Sequence, residues 1–235
     1  MDFNNPFNNF KMKVSIIISV VEDRGYLEKA IKSALNQDYD DYEIVLASDG
    51  NPAMKSYADK WNLKFSLQEI KSNISTNFNK AALIAKGEFL KALSDDDLLT
   101  TNCLKDLVNN IGNKSLIFAN SIDFWQNGTN IINKPSIKKG DFNELIRLKS
   151  SYIHGGTIMF RKDIFLNRGG FDERLECCEE YDYYLYLLSK GYEFAYLDKI
   201  VYEYRKHNKQ KSLVHSPKER ERRMRYKNYI INKYL

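Results

Sequence analysis

Cysteine is scarce: three in 235 residues, Cys103, Cys177 and Cys178. An odd count with two adjacent members does not make a secreted disulfide framework. The spacing is equally wrong for a structural zinc site. Reduced thiols and a cytoplasmic location are the expectation. Long apolar runs are missing too, since no stretch reaches the roughly 18 residues of a membrane-spanning helix. The first ten residues, MDFNNPFNNF, lack the basic start and apolar stretch of a signal peptide, and residues 1–12 read as a flexible leader. An excess of one charge is also lacking: 36 Lys and Arg face 31 Asp and Glu, net +5, with basic residues clustered only near the end. That balance does not demand nucleic acid, and no nucleic-acid partner is expected.

What is present is a globular composition, 43% hydrophobic and 29% charged, on a chain suited to one large domain. Residues 14–21, VSIIISVV, form a β-branched run that reads as a buried strand. Residues 26–37 carry apolar positions at helical spacing. Further strands are expected over 42–47, 64–70, 88–93, within 115–125, over 157–161 and within 193–204. Further helices are expected over 54–61, 77–86 (stopped by Gly87), 98–111, 141–148, 163–167, 180–190 and 217–235. Asn127-Gly128 signals a hairpin turn. Strand and helix alternate through the first half, the pattern of a parallel α/β sheet.

Ligands of such sheets collect at the carboxyl ends of the strands. Two acidic signals stand there: Asp49 after YEIVLAS, and Asp95-Asp96-Asp97 after EFLKALS. Three adjacent carboxylates repel one another, and a hard cation with oxygen ligands relieves that repulsion. Taken alone, Asp96 or Asp97 serves equally well as the cap of a helix starting at Leu98. On composition alone, Asp49-Gly50 reads better as a plain turn.

The segments VSIIISVVEDRGYLEKAIKSALNQDYDDYEIVLASDG, NKAALIAKGEFLKALSDDDLL, GGFDERLECCEEYDYYLYLLSKGY and YRKH, in that order, resemble glycosyltransferase family two. The resemblance covers residues 13–212. It implies an inverting enzyme with the GT-A fold: a Rossmann-like, mostly parallel central sheet flanked by helices, with a smaller antiparallel part and a C-terminal helix. Residues 13–215 would be one domain, with a nucleotide-binding half over 13–97 and an acceptor-binding half over 98–215. The implied donor is a nucleotide-diphospho-sugar, a UDP-sugar first among them. The implied acceptor is a carbohydrate or glycolipid hydroxyl, and the implied cofactor a divalent metal, Mn2+ or Mg2+.

The resemblance also assigns residues. Ser19, Val21 and Glu22 stand where the family's first turn lines base and ribose, although the sequence Ser19-Val20-Val21-Glu22 departs from the usual one. Asp49 matches a carboxylate that hydrogen-bonds the base, while Ser48 replaces its acidic neighbour. Ser94 replaces the first acid of the metal motif. Asp95 is placed toward the ribose or, through water, the metal; Asp96 matches the principal metal ligand, and Asp97 stands behind it in the metal site or caps a helix. Asn79 matches a structural or donor-facing position. Glu180 matches the general base, with Glu179 as the fallback. Read without the family, these two are ordinary acids at a helix start. His207 matches a position that ligates metal or touches the diphosphate, and Lys211 and Ser212 follow within reach of phosphate. His154, Gly155 and Gly156 stand where acceptor meets donor. The tyrosines at 181, 183, 184 and 186 are mostly packing residues.

Residues 216–235 form a basic amphipathic helix, either packed on the domain or lying on the inner face of a membrane. Two other functions fit parts of the pattern. A sugar nucleotidyltransferase would carry a Gly-rich basic loop after the first strand, where this chain has Glu22-Asp23-Arg24-Gly25. A non-catalytic relative that grips nucleotide or glycan is consistent with the departures at Ser19, Ser48, Ser94 and Glu180.

Overall fold

The computed structural model describes residues 14–208, 210 and 216–235; the leader and the assignments at Lys211 and Ser212 lie outside them. The described residues form one nine-stranded sheet with helices on both faces. At its centre β1 (Val14–Val20) runs parallel to β2 (Tyr42–Asp49) on one side and β4 (Phe89–Ser94) on the other. Strand β3 (Lys64–Gln68) extends the parallel part beyond β2. Strand β1 is apolar on both sides because both faces are covered. Ile16 and Ile18 point to a core shared with helices α1 (Leu27–Leu35) and α4 (Cys103–Ile111). Ile17 points to a second core, shared with α3 (Ile74–Ile84), α5 (Phe142–Leu148), α6 (Lys162–Arg168), α7 (Glu179–Ser189) and α8 (Pro217–Tyr234). The short α2 (Lys55–Lys60) packs beside β3.

Beyond β4 the sheet turns antiparallel through β8 (Met159–Arg161) and β6 (Leu116–Trp125), which carries the expected hairpin to β7 (Asn130–Asn133). The long β9 (Phe194–Lys206) runs parallel to β6, with a register shift around Asn120. It also pairs with β5 (Leu98–Leu99).

Strand β5 corrects the helix expected over 98–111. Leu98 and Leu99 pair with Glu203 and Tyr202, and Thr100 N–H donates to the Val201 carbonyl at 3.3 Å. These long-range bonds override the helical spacing, and α4 starts only at Cys103. Asp97 therefore caps no helix. Helix α3 also starts earlier than its spacing suggests, because Asn73 accepts from Thr76 N–H at 3.0 Å and caps it.

Gly87 is needed for a close approach rather than as a helix stop, since α3 has already ended at Ile84. Its N–H donates to Ser15 Oγ at 2.8 Å, and a Cβ there would lie 2.4 Å from the Ser15 nitrogen. Backbone cannot swing aside as a side-chain tip can. Gly87→Ala is expected to destabilise the chain by about 1–3 kcal/mol, read as a lower urea midpoint with an unchanged slope.

Candidate functional site

The register of the central strands builds the site. Ser19 lies level with Ser94, and Val20 level with Ser48, so β1, β2 and β4 end at one edge. Their exit loops enclose a cleft of about 300 Å³ lined by Ser19, Val21, Glu22, Arg24, Asp49, Lys71, Asn77, Tyr204 and the run Ser94 to Asp97.

On the β2 side, Asp49 Oδ1 accepts from Ser72 N–H at 2.9 Å, which fixes the carboxylate at the cleft wall. Gly50 next to it has φ +76, and a Cβ there would lie 2.8 Å from Lys71 Cβ, so only glycine suits this corner. Ser48 is buried and donates to the Asn51 carbonyl at 2.7 Å. Asn51 in turn donates to the Val21 carbonyl at 3.0 Å, tying the loop after β1 to the turn after β2.

The acidic run is held by the fold's own cations. Arg24 Nη2 donates to Asp95 Oδ1 at 2.8 Å and to Asp96 Oδ2 at 3.0 Å. His207 Nε2 lies 3.0 Å from the same Asp96 oxygen. Asp97 is 1% exposed and turns into the fold. Its Oδ1 accepts from Arg205 N–H and its Oδ2 from Tyr202 O–H, each at 2.8 Å. Burial, then the neighbouring Asp96, pushes the Asp97 carboxyl up to about 7. Arg205 also donates from Nε to the Asp96 carbonyl at 2.7 Å, with its guanidinium 4.7 Å from the Tyr26 ring centre and 4.6 Å from that of Phe124. The last residues of β9 thus brace the acidic loop from beneath.

The donors present fit a cation shared with a ligand rather than one caged by protein. Asp96 and His207 meet at hydrogen-bond distance, with Asp95 beside them across Arg24. Among the described residues no group of three or more His, Cys, Asp and Glu is arranged to hold a metal by itself. A hard cation at a phosphate site commonly takes one or two carboxylates and completes its shell with phosphate and water.

The two later carboxylates open onto an adjoining pocket of about 60 Å³, which shares Ser19, Ile74 and Ser94 with the main cleft. Glu179 and Glu180 begin α7, and their side chains hydrogen-bond each other. Burial raises both carboxyls, and their mutual hydrogen bond raises Glu179 while it lowers Glu180. Gly155 lies against this pair, for a Cβ on it would be 2.4 Å from Glu180 Oε1. Gly156 lies equally close to the Tyr202 ring. Both glycines line the small pocket. His154 caps their turn, its Nδ1 accepting from Gly156 N–H at 3.1 Å, and its ring packs on Tyr204 at 4.7 Å. Burial lowers His154 to about 4, so it is neutral at pH 7.

The structure thus gathers Ser19, Val21, Glu22, Asp49, Ser94, Asp95, Asp96 and Asp97 around one cleft, with His207 on Asp96 and Glu179, Glu180, Gly155 and Gly156 next door. Asn79 is not among the described residues lining either pocket. Its amide donates to the Phe171 carbonyl at 2.9 Å and accepts from Phe171 N–H at 2.8 Å, pinning the turn after α6. Asn77, two residues earlier, faces the cleft instead.

Four residues escape the sequence reading: Arg24, Arg205, Tyr202 and Lys91. Lys91 is fully buried in β4, donates to the Ala92 and Gly156 carbonyls, and is lowered to about 8 by burial. Its signal is a lysine inside an otherwise apolar strand. Arg24 is the one cation in the turn after β1 and is legible only once that turn is known to meet the acidic run.

The tyrosines of α7 are packing residues, as expected. Tyr183 and Tyr184 are fully buried, and Tyr181 donates to the Leu145 carbonyl at 2.8 Å. Asp182 is buried between Arg168, Lys233 and Tyr234, joining α7 to α8. Helix α8 starts at a capping box formed by Ser216 and Glu219. It buries Ile230 and Ile231 in the core, and Tyr226 and Tyr234 pack against them. Much of its apolar side is therefore taken up by the domain, while Met224 and Tyr229 stay exposed. No described helix is long and apolar enough to cross a membrane.

Three comparisons bear on identity. The sequence pattern of Glycosyl transferase family 2 matches residues 15–169, more than half of the chain. An uncharacterized glycosyltransferase of Rickettsia typhi is 31% identical over 189 residues, 74% of this chain and 58% of that protein. The O-antigen biosynthesis glycosyltransferase WbnJ of Escherichia coli is 27% identical over 218 residues, 83% of this chain and 80% of that protein. The chain spans 32% of a Rickettsia conorii relative, so such relatives extend well beyond it. Among solved structures, Staphylococcus aureus TarS 1-349 in complex with UDP-GlcNAc superposes with a TM-score of 0.69 at 20% identity, over 93% of this chain and 66% of that one. The architecture is the GT-A fold expected from the sequence. In fold and in sequence, this chain belongs to glycosyl transferase family 2.

Proposed function

We propose that the chain moves a sugar from a nucleotide-diphospho-sugar to a hydroxyl of a glycan or glycolipid, in a single displacement with inversion at the anomeric carbon. One observation carries this reading: the acidic run at the end of β4 and the buried carboxyl pair of α7 open onto pockets that share Ser19 and Ser94. A site for a charged leaving group and a site for a proton acceptor are then neighbours across one strand end. The TarS complexes named for UDP-GlcNAc and for UDP support a nucleotide-sugar donor on this fold.

In this reading the nucleotide lies in the cleft, with Asp49 toward the base and Asp95 toward the ribose. Glu180 takes the proton of the attacking hydroxyl. The hydrogen bond from Glu179 favours the ionised form of Glu180, the form a base needs. Gly155 admits the acceptor's approach because it has no side chain to bar it. Asp96 and His207, with Asp95, are the residues that would hold a divalent cation. When bound, such a cation supplies charge neutralisation at the departing diphosphate. Arg24 already neutralises the same carboxylates and is placed to turn toward the phosphates.

Binding is testable without knowing the acceptor. A panel of nucleotide sugars and nucleoside diphosphates, each with Mn2+, is screened by thermal shift. The true nucleotide at a hundred times its Kd is expected to stabilise the chain by about 2.7 kcal/mol. No shift with any member would sink the reading. Donor hydrolysis in the same wells separates an enzyme from a binding relative.

Membrane contact through α8 would be mainly electrostatic, since Tyr226, Ile230, Ile231 and Tyr234 pack inward. Vesicles containing anionic lipid are expected to float the full chain at low salt and lose it at high salt. Flotation retained by a chain ending at Ser216 would remove α8 from that role.

A further inference from the structure

Cys177 and Cys178 are used by nothing described so far, yet they stand directly before Glu179. Their sulfurs are 3.7 Å apart, with the Cys178 thiol donating toward Cys177. Both residues are half-buried, whereas Cys103 is fully buried. Cys178 is the N-cap of α7 and has φ +69, a left-handed conformation rare for a residue with a Cβ. The backbone at the start of α7 is thus already bent where the sulfurs meet. That hydrogen bond, reinforced by the charges of Arg223 and Arg222 on α8, lowers the Cys177 thiol to about 7 against opposing burial. The Cys178 thiol is raised by the same hydrogen bond and by burial.

We propose that Cys177 and Cys178 form a thiol–disulfide exchange site for a small-molecule disulfide of the glutathione class, and that its product, a disulfide between these neighbours, shifts the start of α7. The Cys177 thiolate attacks one sulfur of the small disulfide, forming a mixed disulfide and releasing one small thiolate. The Cys178 thiol loses its proton and attacks Cys177 Sγ, releasing the second small thiol. In sum, two protein thiols and one small disulfide give one protein disulfide and two small thiols. Neighbouring Cα atoms sit about 3.8 Å apart across a trans peptide, below the usual disulfide span of roughly 4.4–6.8 Å. Ring closure must therefore bend the backbone at the α7 N-cap, and a strained disulfide is readily reduced again. That bend is transmitted to Glu179 and Glu180, the next two residues. The consequence for sugar transfer rests on the reading proposed above, whereas the exchange chemistry does not.

The test uses the full chain, reduced and then treated with millimolar oxidised glutathione. Mass spectrometry after alkylation is expected to show the loss of two hydrogens, with both cysteines blocked in one peptide and freed by dithiothreitol. Hydrogen exchange over residues 177–184 is expected to change with oxidation and revert on reduction. Cys178→Ser is expected to stop at a glutathione adduct on Cys177, and Cys177→Ser to react at least about tenfold more slowly. A lasting glutathione adduct on the native chain, a disulfide between two chains, no reaction, equal rates in Cys177→Ser, or unchanged hydrogen exchange would each overturn the proposal. In a transfer assay the oxidised chain is expected to lose at least about tenfold in rate and dithiothreitol to restore it, while the double variant Cys177→Ser, Cys178→Ser ignores the treatment. Full transfer by the oxidised form overturns the control of the site. If neither form transfers sugar, the proposed function fails, and the mass and exchange results still decide the chemistry.

Discussion

Glu180→Gln is expected to cut sugar transfer by at least about a hundredfold, within the range for removal of an acid–base group. Nucleotide affinity should hardly move, because Glu180 lies in the adjoining pocket and not among the described residues lining the main cleft. The substitution preserves size and leaves an oxygen to accept a hydrogen bond from Glu179, so the start of α7 should stay in place. The native pH profile supplies an independent check. Burial raises the Glu180 carboxyl above its ordinary value. A base must be deprotonated to act, so activity should fall as pH drops through that raised value. The acidic limb should therefore lie above the usual carboxylate range. Near-normal turnover by the purified Gln variant would remove Glu180 from the role, and loss of transfer in Glu179→Gln alone would move it to Glu179.

The second large effect is expected at Asp96. Its carboxylate is the meeting point of Arg24 and His207, and both side chains are aimed by it. Asp96→Ala is expected to lower donor turnover at least about a hundredfold, as for other losses of charge stabilisation at a leaving group. The fold should survive, because the braces beneath the loop run through the Asp96 backbone carbonyl and the Asp97 side chain. A metal titration sharpens the result. The native chain should gain turnover with added Mn2+ or Mg2+, and the Ala variant should need far more of it. A native chain equally active with and without a chelator would show that Arg24 and His207 serve the diphosphate alone.

The expected repulsion within Asp95-Asp96-Asp97 shows how far local reasoning carries. Three adjacent acids in a sequence signal an electrostatic cost, and the sequence reading resolves it with a cation from solution. The fold resolves part of it internally, with Arg24 from the turn after β1 and Arg205 from the end of β9. Arg24 and Arg205 lie some 71 and 109 positions from the acids they meet, and no window of local pattern spans that distance. The same limit explains Leu98 and Leu99. Their helical spacing is real, but β9 offers them a ladder, and the ladder wins.

Several features were legible from local pattern. The buried run of β1, the hairpin at Asn127-Gly128, the alternation of strand and helix, and the acids at strand ends each follow from side-chain periodicity or turn chemistry. Asn79 marks where that legibility ends. A position in a motif names a helix, whereas the face it presents depends on how that helix packs, and α3 turns Asn77 to the cleft and Asn79 to the Phe171 turn. Composition and periodicity were sufficient for the α/β class and for the strand ends at which chemistry gathers, because both arise between near neighbours in the chain. The pairing of Arg24 with Asp96, the burial that raises Glu179 and Glu180, and the seat of Gly155 against Glu180 were settled by packing, because each depends on burial and on contacts that exist only once distant segments meet.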